Sequence, residues 1–213
     1  MSGVPRHLAL IPSGTRRWAH SRDLDTLHGQ AVGVLGLVNI VGAAWERGVE
    51  TVTVWLGNRE DFELRRRVEV GVLADWLATD GASLLKQHEA GFEIIGDWES
   101  VCPQIGVGVE IAADAAGEGP RRLVLLCAFD GRREVMDAAQ RVETGDVRVF
   151  QTSLSTGHLP PIDLLIRTGD TGYLASGFPL WHLDGARMHF CAFPWPEFDV
   201  DDLDEALSAW RNG

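Results

Sequence analysis

Pro161-Ile162-Asp163-Leu164-Leu165-Ile166-Arg167-Thr168-Gly169 is an apolar strand that runs straight into Arg-Thr-Gly. A strand apolar at consecutive positions has both faces buried, as in a parallel sheet covered by helices on either side. In such open α/β sheets, ligands bind beyond the carboxyl ends of the strands. Arg167 is delivered to that edge by a rigid element. Its guanidinium fork suits phosphate or carboxylate oxygens. It equally suits an Arg that pairs with a nearby Asp and reaches water. This stretch by itself leaves both readings open.

Working outward, five more short aliphatic or β-branched runs have the same character: His7–Ile11, Thr51–Leu56, Phe92–Ile95, Leu123–Phe129 and Met188–Ala192, with Ile162–Arg167 as the fifth strand in order. Helical periodicity fills the gaps. Gln30–Arg47 carries Val34, Leu37, Val38, Val41 and Trp45, and Arg65–Ala90 carries Val68, Val72, Leu73, Trp76, Leu77, Leu84 and Leu85. Trp98–Ala116, Arg132–Glu143 and Asp201–Trp210 follow, the last with acids in its first turn. Alternating strands and helices predict an α/β fold, a mostly parallel six-stranded sheet with helices on both faces. No repeat, linker or composition break divides the chain, so residues 1–213 read as one domain.

The bulk properties exclude several function classes. The 213 residues suffice for one proper core, and the 45 % apolar and 23 % charged content is that of a globular protein. A formal net charge of −12 argues against a nucleic-acid partner. Cys102, Cys127 and Cys191 form no CxxC pair. Cys127 and Cys191 lie in apolar runs and read as buried free thiols, for which a reducing cytoplasm is the natural setting. The start, Met1 to Leu8, has no long apolar h-region, and no uninterrupted apolar run reaches transmembrane length. Eight Trp against one Tyr supply large apolar walls, for a core by default or for a ligand tunnel.

The first strand ends in Ile11-Pro12-Ser13-Gly14-Thr15-Arg16-Arg17-Trp18-Ala19, with Arg22 about a turn further on. Gly and hydroxyl residues before a helix start suit a phosphate, since backbone N–H groups there point at an anion. Two Arg at the positive end of a helix dipole are locally unfavourable unless an anion compensates. The alternative, a capped helix with a solvated basic turn, supplies no such anion. With Arg167, two anion sites lie on the same edge of a parallel sheet, which suits an enzyme handling two phosphorylated molecules.

At this point the chain resembles the cis-prenyltransferases, the family of undecaprenyl diphosphate synthase. The resemblance runs from His7 to about Trp210. It rests on His7-Leu-Ala-Leu-Ile with Gly14-x-x-Arg17-Trp18-Ala19, Ile94-Ile95-Gly96-Asp97, and Gly131-Arg132-x-Glu134. It rests also on Asp163-Leu-Leu-Ile-Arg167-Thr-Gly169, Phe178-x-Leu180-Trp181 and Trp195-Pro196-x-Phe198. It implies a dimeric enzyme that condenses an allylic diphosphate with isopentenyl diphosphate, using Mg²⁺, beside a hydrophobic tunnel. Gly14 and Arg17, with Thr15, Arg16 and Arg22 around them, correspond to the allylic diphosphate cradle. Arg167 and Ser176 correspond to part of the second diphosphate site. Trp18, Trp55 and Trp76 are the expected tunnel aromatics, and Trp76 would shorten the tunnel to a substrate of roughly ten to fifteen carbons.

The departures bear on mechanism. The family's metal-binding Asp is Ser13 here, its Asn is Thr15, its following Arg is Thr26, and its Gly-His pair is Gly29-Gln30. The aromatic-Ser-x-Glu-Asn-Trp run reads Gly57-Asn58-Arg59-Glu60-Asp61-Phe62. The Asn before its Gly-Gly-Arg motif is Ala128, Tyr173 and Leu174 stand where its second basic residue belongs, and its late Glu is Arg187. Both usual Mg²⁺ ligands are therefore absent, and a hydroxyl replaces a carboxylate poorly on that hard cation. Arg187 is a candidate to supply the missing charge as a guanidinium. Asp61, Asp130 and Asp170 are candidates to recruit the metal anew. Ser13, Arg17, Asp61 and Arg187 are thus the candidate catalytic residues. Retention of both anion sites points to a cytoplasmic enzyme of specialised isoprenoid metabolism. It would ionise a short allylic prenyl diphosphate and couple or cyclise the cation. The replaced positions point instead to a non-catalytic subunit that dimerises with an active cis-prenyltransferase. The partner of the dimer is a second copy in the first reading and that enzyme in the second.

Overall fold

The strands form where β-branched and aliphatic residues are consecutive, and the helices where acidic caps and 3.6-residue periodicity take over. The computed structural model describes residues 3–143, 145–169 and 177–212. In chain order, β1 (His7–Ile11) leads through α1 (Thr15–His20) and α2 (Thr26–Glu46) to β2 (Thr51–Gly57). Then come α3 (Arg59–Glu63), α4 (Arg67–Trp76), a π-helical turn at Leu77–Gly81, α5 (Ala82–His88) and β3 (Gly91–Ile95). After α6 (Trp98–Val101) and α7 (Gly106–Ala115), β4 (Arg122–Cys127) precedes α8 (Gly131–Arg141) and α9 (Val147–Ser153). The chain finishes with β5 (Leu164–Arg167), β6 (Arg187–Phe190) and α10 (Val200–Asn212).

The sheet runs β3-β4-β2-β1-β5-β6, and every neighbouring pair is parallel. The register sets Leu8 against Val52 and Leu164, and Ile11 against Arg167. Strand residues alternate between two buried layers. Leu8, Leu10, Val52, Val54, Leu123, Leu125, Leu164 and Ile166 pack beneath α2, α4, α5, α7 and α10. Ala9, Ile11, Trp55, Val124, Leu126 and Leu165 pack on the opposite face, with Leu159, Ile162 and Phe178. Each large side chain so buried contributes about 1.5–3 kcal/mol. This is a single α/β domain with a six-stranded parallel sheet, as the strand pattern predicts.

Helix starts follow local capping. Asp25 accepts the N–H of Leu27 at the head of α2, and Asp130 accepts that of Arg132 at the head of α8. The predicted Arg65–Ala90 helix is interrupted by the π-helical turn, and the predicted Trp98–Ala116 helix breaks at Cys102-Pro103 because Pro cannot continue the ladder. Among the described helices, α2 alone has the length and apolar composition to cross a bilayer. Here it buries Leu37, Ile40, Val41, Ala44 and Trp45 in the core. All three cysteines are buried and free, with Cys102 Sγ 3.8 Å from Cys127 Sγ.

The chain leaves β1 toward β2 but leaves β5 toward β6, in opposite directions across the sheet. That reversal opens a crevice at the carboxyl ends of β1 and β5.

Candidate active site

The loops after β1 and β5 are stitched together at this crevice. Ser13 N–H donates to Thr168 Oγ1, and the Thr168 hydroxyl donates back to Ser13 O, each at 3.0 Å. Trp195 N–H donates to Ser13 O at 2.8 Å, and Arg17 Nη2 donates to Gly169 O at 2.5 Å. Gly14 makes the bend with φ +96°, and a Cβ there would lie 2.8 Å from Pro194 Cβ. Only glycine fits both the angle and the space.

On the β2 side of this seam is a cleft of about 200 Å³ lined by Pro12, Ser13, Gly14, Thr15, Arg16 and Arg17, with Gln30, Trp55, Leu56, Gly57, Asp61 and Arg65 opposite. Arg65 was hidden in the sequence within the run Arg65-Arg66-Arg67, and the structure brings it into the cleft. It donates to Leu56 O at 2.7 Å and lies 4.2 Å over the Phe62 ring, while its buried Nε has no hydrogen-bond partner. Burial, and then the charge of Arg16, hold this guanidinium below its ordinary pKa. A cation kept in that state gains most from an anion brought beside it.

Of the other candidates, Asp61 lines the cleft but also completes a capping box. Its Oδ2 accepts the N–H of Asn58 at 2.9 Å, and its own N–H donates to Asn58 Oδ1 at 2.8 Å. Arg22 lies outside, in a neighbouring cleft of about 240 Å³ that shares Arg17 and includes Trp18 and Gly169. There Arg22 pairs with Glu197 at 2.7 Å and stacks 4.7 Å from the Trp18 ring. Arg167 is 5 % exposed at the end of β5, and strand alternation sets it on the face of Leu165, away from α2. Ser176 and Asp170 lie outside the described residues.

Two expectations are corrected. Arg187 is not at the cleft of its own chain: it starts β6 opposite Leu164, at the amino end of a sheet whose site is at the carboxyl end. There it donates to Trp210 O and lies 5.8 Å from that ring. Trp76 is a core residue, 3 % exposed, and the apolar wall near the cleft is built by other residues.

That wall encloses a cavity of about 50 Å³ that shares Pro12, Thr15, Gln30, Leu56 and Arg65 with the cleft. Val34, Leu37, Leu73, Glu69 and Trp195 close it. Trp195 is locked by its indole N–H on Gly33 O at 2.8 Å, and packs on Gly36, where a Cβ would sit 3.3 Å from Nε1. The site is therefore a cationic cleft beside a small, mostly apolar cavity.

Asp61 is the residue in the cleft that could offer a carboxylate to a cation. Among the described residues Asp61 is the single carboxylate lining the cleft, set among three guanidinium groups. No group of three His, Cys, Asp or Glu with metal-ligand geometry occurs among the described residues, so a Mg²⁺ ion held here would take most of its oxygens from a substrate phosphate and water. Arg16, Arg17 and Arg65 make the lining of the cleft cationic.

Comparison with known proteins agrees with this geometry. The family model described as putative undecaprenyl diphosphate synthase matches residues 11–213. A ditrans,polycis-undecaprenyl-diphosphate synthase ((2E,6E)-farnesyl-diphosphate specific) of Pseudomonas putida is 32 % identical, over 97 % of this chain and 88 % of its own length. An isoprenyl transferase of Nitrosomonas europaea is 31 % identical, over 98 % and 83 %. The crystal structure of lavandulyl diphosphate synthase from Lavandula x intermedia in complex with dimethylallyl diphosphate superposes with a TM-score of 0.90 at 26 % identity, covering 99 % of this chain and 97 % of that one. With its motifs, its sheet order and these relatives in agreement, the chain belongs to the undecaprenyl diphosphate synthase family of cis-prenyltransferases.

Proposed function

We propose that this protein ionises a short allylic prenyl diphosphate and couples or cyclises the resulting cation, as an enzyme of specialised isoprenoid metabolism. The observation that carries the reading is the adjacency of a three-arginine cleft and a small, mostly apolar cavity that share Pro12, Thr15, Gln30, Leu56 and Arg65 in their walls. A diphosphate head belongs in the first and a hydrocarbon tail in the second. A cavity of about 50 Å³ has room for roughly four water-sized groups, which matches one isoprenyl unit better than a polyprenyl chain. The similar lavandulyl diphosphate synthase was solved with dimethylallyl diphosphate, a ligand of that size.

The chemistry follows from the charges. As the allylic C–O bond breaks, its electron pair moves to the diphosphate. Arg16, Arg17 and Arg65 receive the growing negative charge through charge-assisted hydrogen bonds. Gly14 and Thr15 let the backbone approach the head group, and Ser13, tied to Thr168, fixes that loop. Leu37, Leu73 and Trp195 keep water from the cation.

A second reading, a non-catalytic subunit for an active cis-prenyltransferase, is favoured by Ser13 at the family's Asp position and by Arg22, which is already paired with Glu197. The deciding experiment incubates the protein with dimethylallyl, geranyl and farnesyl diphosphates, each with and without isopentenyl diphosphate and Mg²⁺, with products read by mass spectrometry. The expected outcome is diphosphate release and a new prenyl product from the shorter substrates. Turnover that appears only on adding a cis-prenyltransferase from the same source overturns this reading in favour of the subunit.

A further inference from the structure

Glu69 is an ionisable group in an otherwise mostly apolar wall. It lies on α4, one turn before Leu73, and both line the small cavity with Val34, Leu37, Leu56 and Trp195. Its side chain is 6 % exposed. Oε1 accepts the Thr26 hydroxyl and the Arg66 Nε–H, the latter at 2.9 Å. Among the described residues Oε2 accepts no hydrogen bond. Burial pushes this carboxyl up, but Thr26 and Arg66 outweigh it and hold the group below its ordinary range. A fixed negative charge therefore borders the hydrocarbon compartment, within electrostatic reach of Arg65 and Arg16 in the head compartment.

A compartment that only held a tail would be better built from Leu or Ala, because a buried carboxylate is costly. The charge has a use when the tail becomes a cation. We propose that Glu69 is the base that ends the reaction, an inference that rests on the ionising reading above. The allylic C–O bond breaks and its electron pair leaves with the diphosphate. The cation forms, or passes to a second prenyl unit as that unit's double bond makes the new C–C bond. Glu69 Oε2 then takes a proton from a carbon next to the cationic carbon. The C–H electron pair closes as C=C, leaving an alkene, diphosphate and a protonated Glu69 that returns its proton to solvent. A weak base suffices, since a C–H beside a cationic carbon is far more acidic than a carboxylic acid. Asp61, half-exposed in the polar cleft and bound to the Asn58 N–H, faces water instead.

The test is Glu69→Gln in the full chain, which keeps the acceptor for Thr26 and Arg66. Dimethylallyl and geranyl diphosphates are supplied, and diphosphate release and product identity are measured together. Release is expected to persist while alkene formation falls about 10²-fold and water captures the cation as a prenyl alcohol. A merely structural residue would lower both readouts together and leave the alkene-to-alcohol ratio unchanged. An unchanged ratio in Glu69→Gln overturns the base while leaving the ionising reading intact. Absence of diphosphate release in the wild-type protein overturns that reading and the base with it. Should Glu69→Gln not fold, as judged by circular dichroism, Glu69→Asp decides the matter. Its carboxylate is set back from the cation and must raise the alcohol share, and an unchanged share overturns the proposal.

Discussion

Arg65 shows how a single side chain can favour function over stability. Its guanidinium is buried beside Arg16, with one polar atom unsatisfied, and its pKa is depressed by that burial. Unliganded, such a group is a cost; against a diphosphate it is a strong, desolvated donor. Arg65→Gln is therefore expected to weaken binding of a prenyl diphosphate by about 1.5–3 kcal/mol, the worth of a charge-assisted hydrogen bond. The same change should leave the melting temperature equal or higher. Calorimetric titration and thermal melts of both proteins check the pair of outcomes, and unchanged affinity would remove Arg65 from the site. The residue also marks a limit of sequence reading. Gly14, Arg16 and Arg17 were legible because glycine, hydroxyls and paired Arg adjoin at a strand end. Arg65 was not, because three consecutive Arg carry no sign of which one turns inward. The difference lies in what each meets: Arg66 is held by Asp25 and Glu69, Arg67 is exposed, and Arg65 packs on Phe62.

Elements are joined here by polar contacts that periodicity does not reveal. His7 opens β1 and bonds outward on both ring nitrogens: Nδ1 to Pro160 O and Nε2 to Thr53 Oγ1 on β2, each at 2.8 Å. His182, in the turn Leu180–Leu183, meets Thr156 Oγ1 at 2.9 Å, and Thr156 in turn donates to Glu134 of α8. Burial lowers the pKa of both histidines. Below about pH 6.5 the unfolded chain takes up protons that the folded chain refuses, so stability falls as pH drops from there toward the folded values. The slope is at most about 1.4 kcal/mol per pH unit for each histidine. Asp25, Glu50, Glu69 and Asp204 are shifted the other way, downward as acids, and lose their contribution only below about pH 4.5. Urea titrations between pH 8 and 5 should show the decline, and His7→Asn should shallow it; a flat profile would refute the assignment. The strands themselves were readable to within two residues, because consecutive apolar residues have no other use. The π-helical turn at Leu77–Gly81 was not, because the apolar spacing continues across it, whereas the break at Cys102-Pro103 carries its own signal in Pro103.

The whole molecule has two sheet edges, and they are unequal. Strand β3 leads into α6 and α7, but β6 presents Met188 at 42 % and Phe190 at 41 % exposure. Leu180 in the turn before β6, Met136 on α8, and Val147 and Val149 on α9 are exposed as well, and α8 packs on both that turn and α9. The Phe150 and Trp181 rings, 4.8 Å apart, join α9 to the turn before β6. Among the described strands β6 is an edge, and an edge strand with exposed apolar side chains invites association with another chain. A second copy of this chain is the occupant expected by family resemblance, and with a net charge of −12 that contact rests on the exposed apolar side chains of this edge. Light scattering coupled to size exclusion should therefore give a dimer for the wild-type protein. Met188→Lys with Phe190→Lys should give a monomer with an unchanged circular dichroism spectrum, since both side chains are exposed in the single chain and neither supports its core. A wild-type monomer would leave this edge to a different partner, and would shift weight to the subunit reading, in which an active cis-prenyltransferase occupies it.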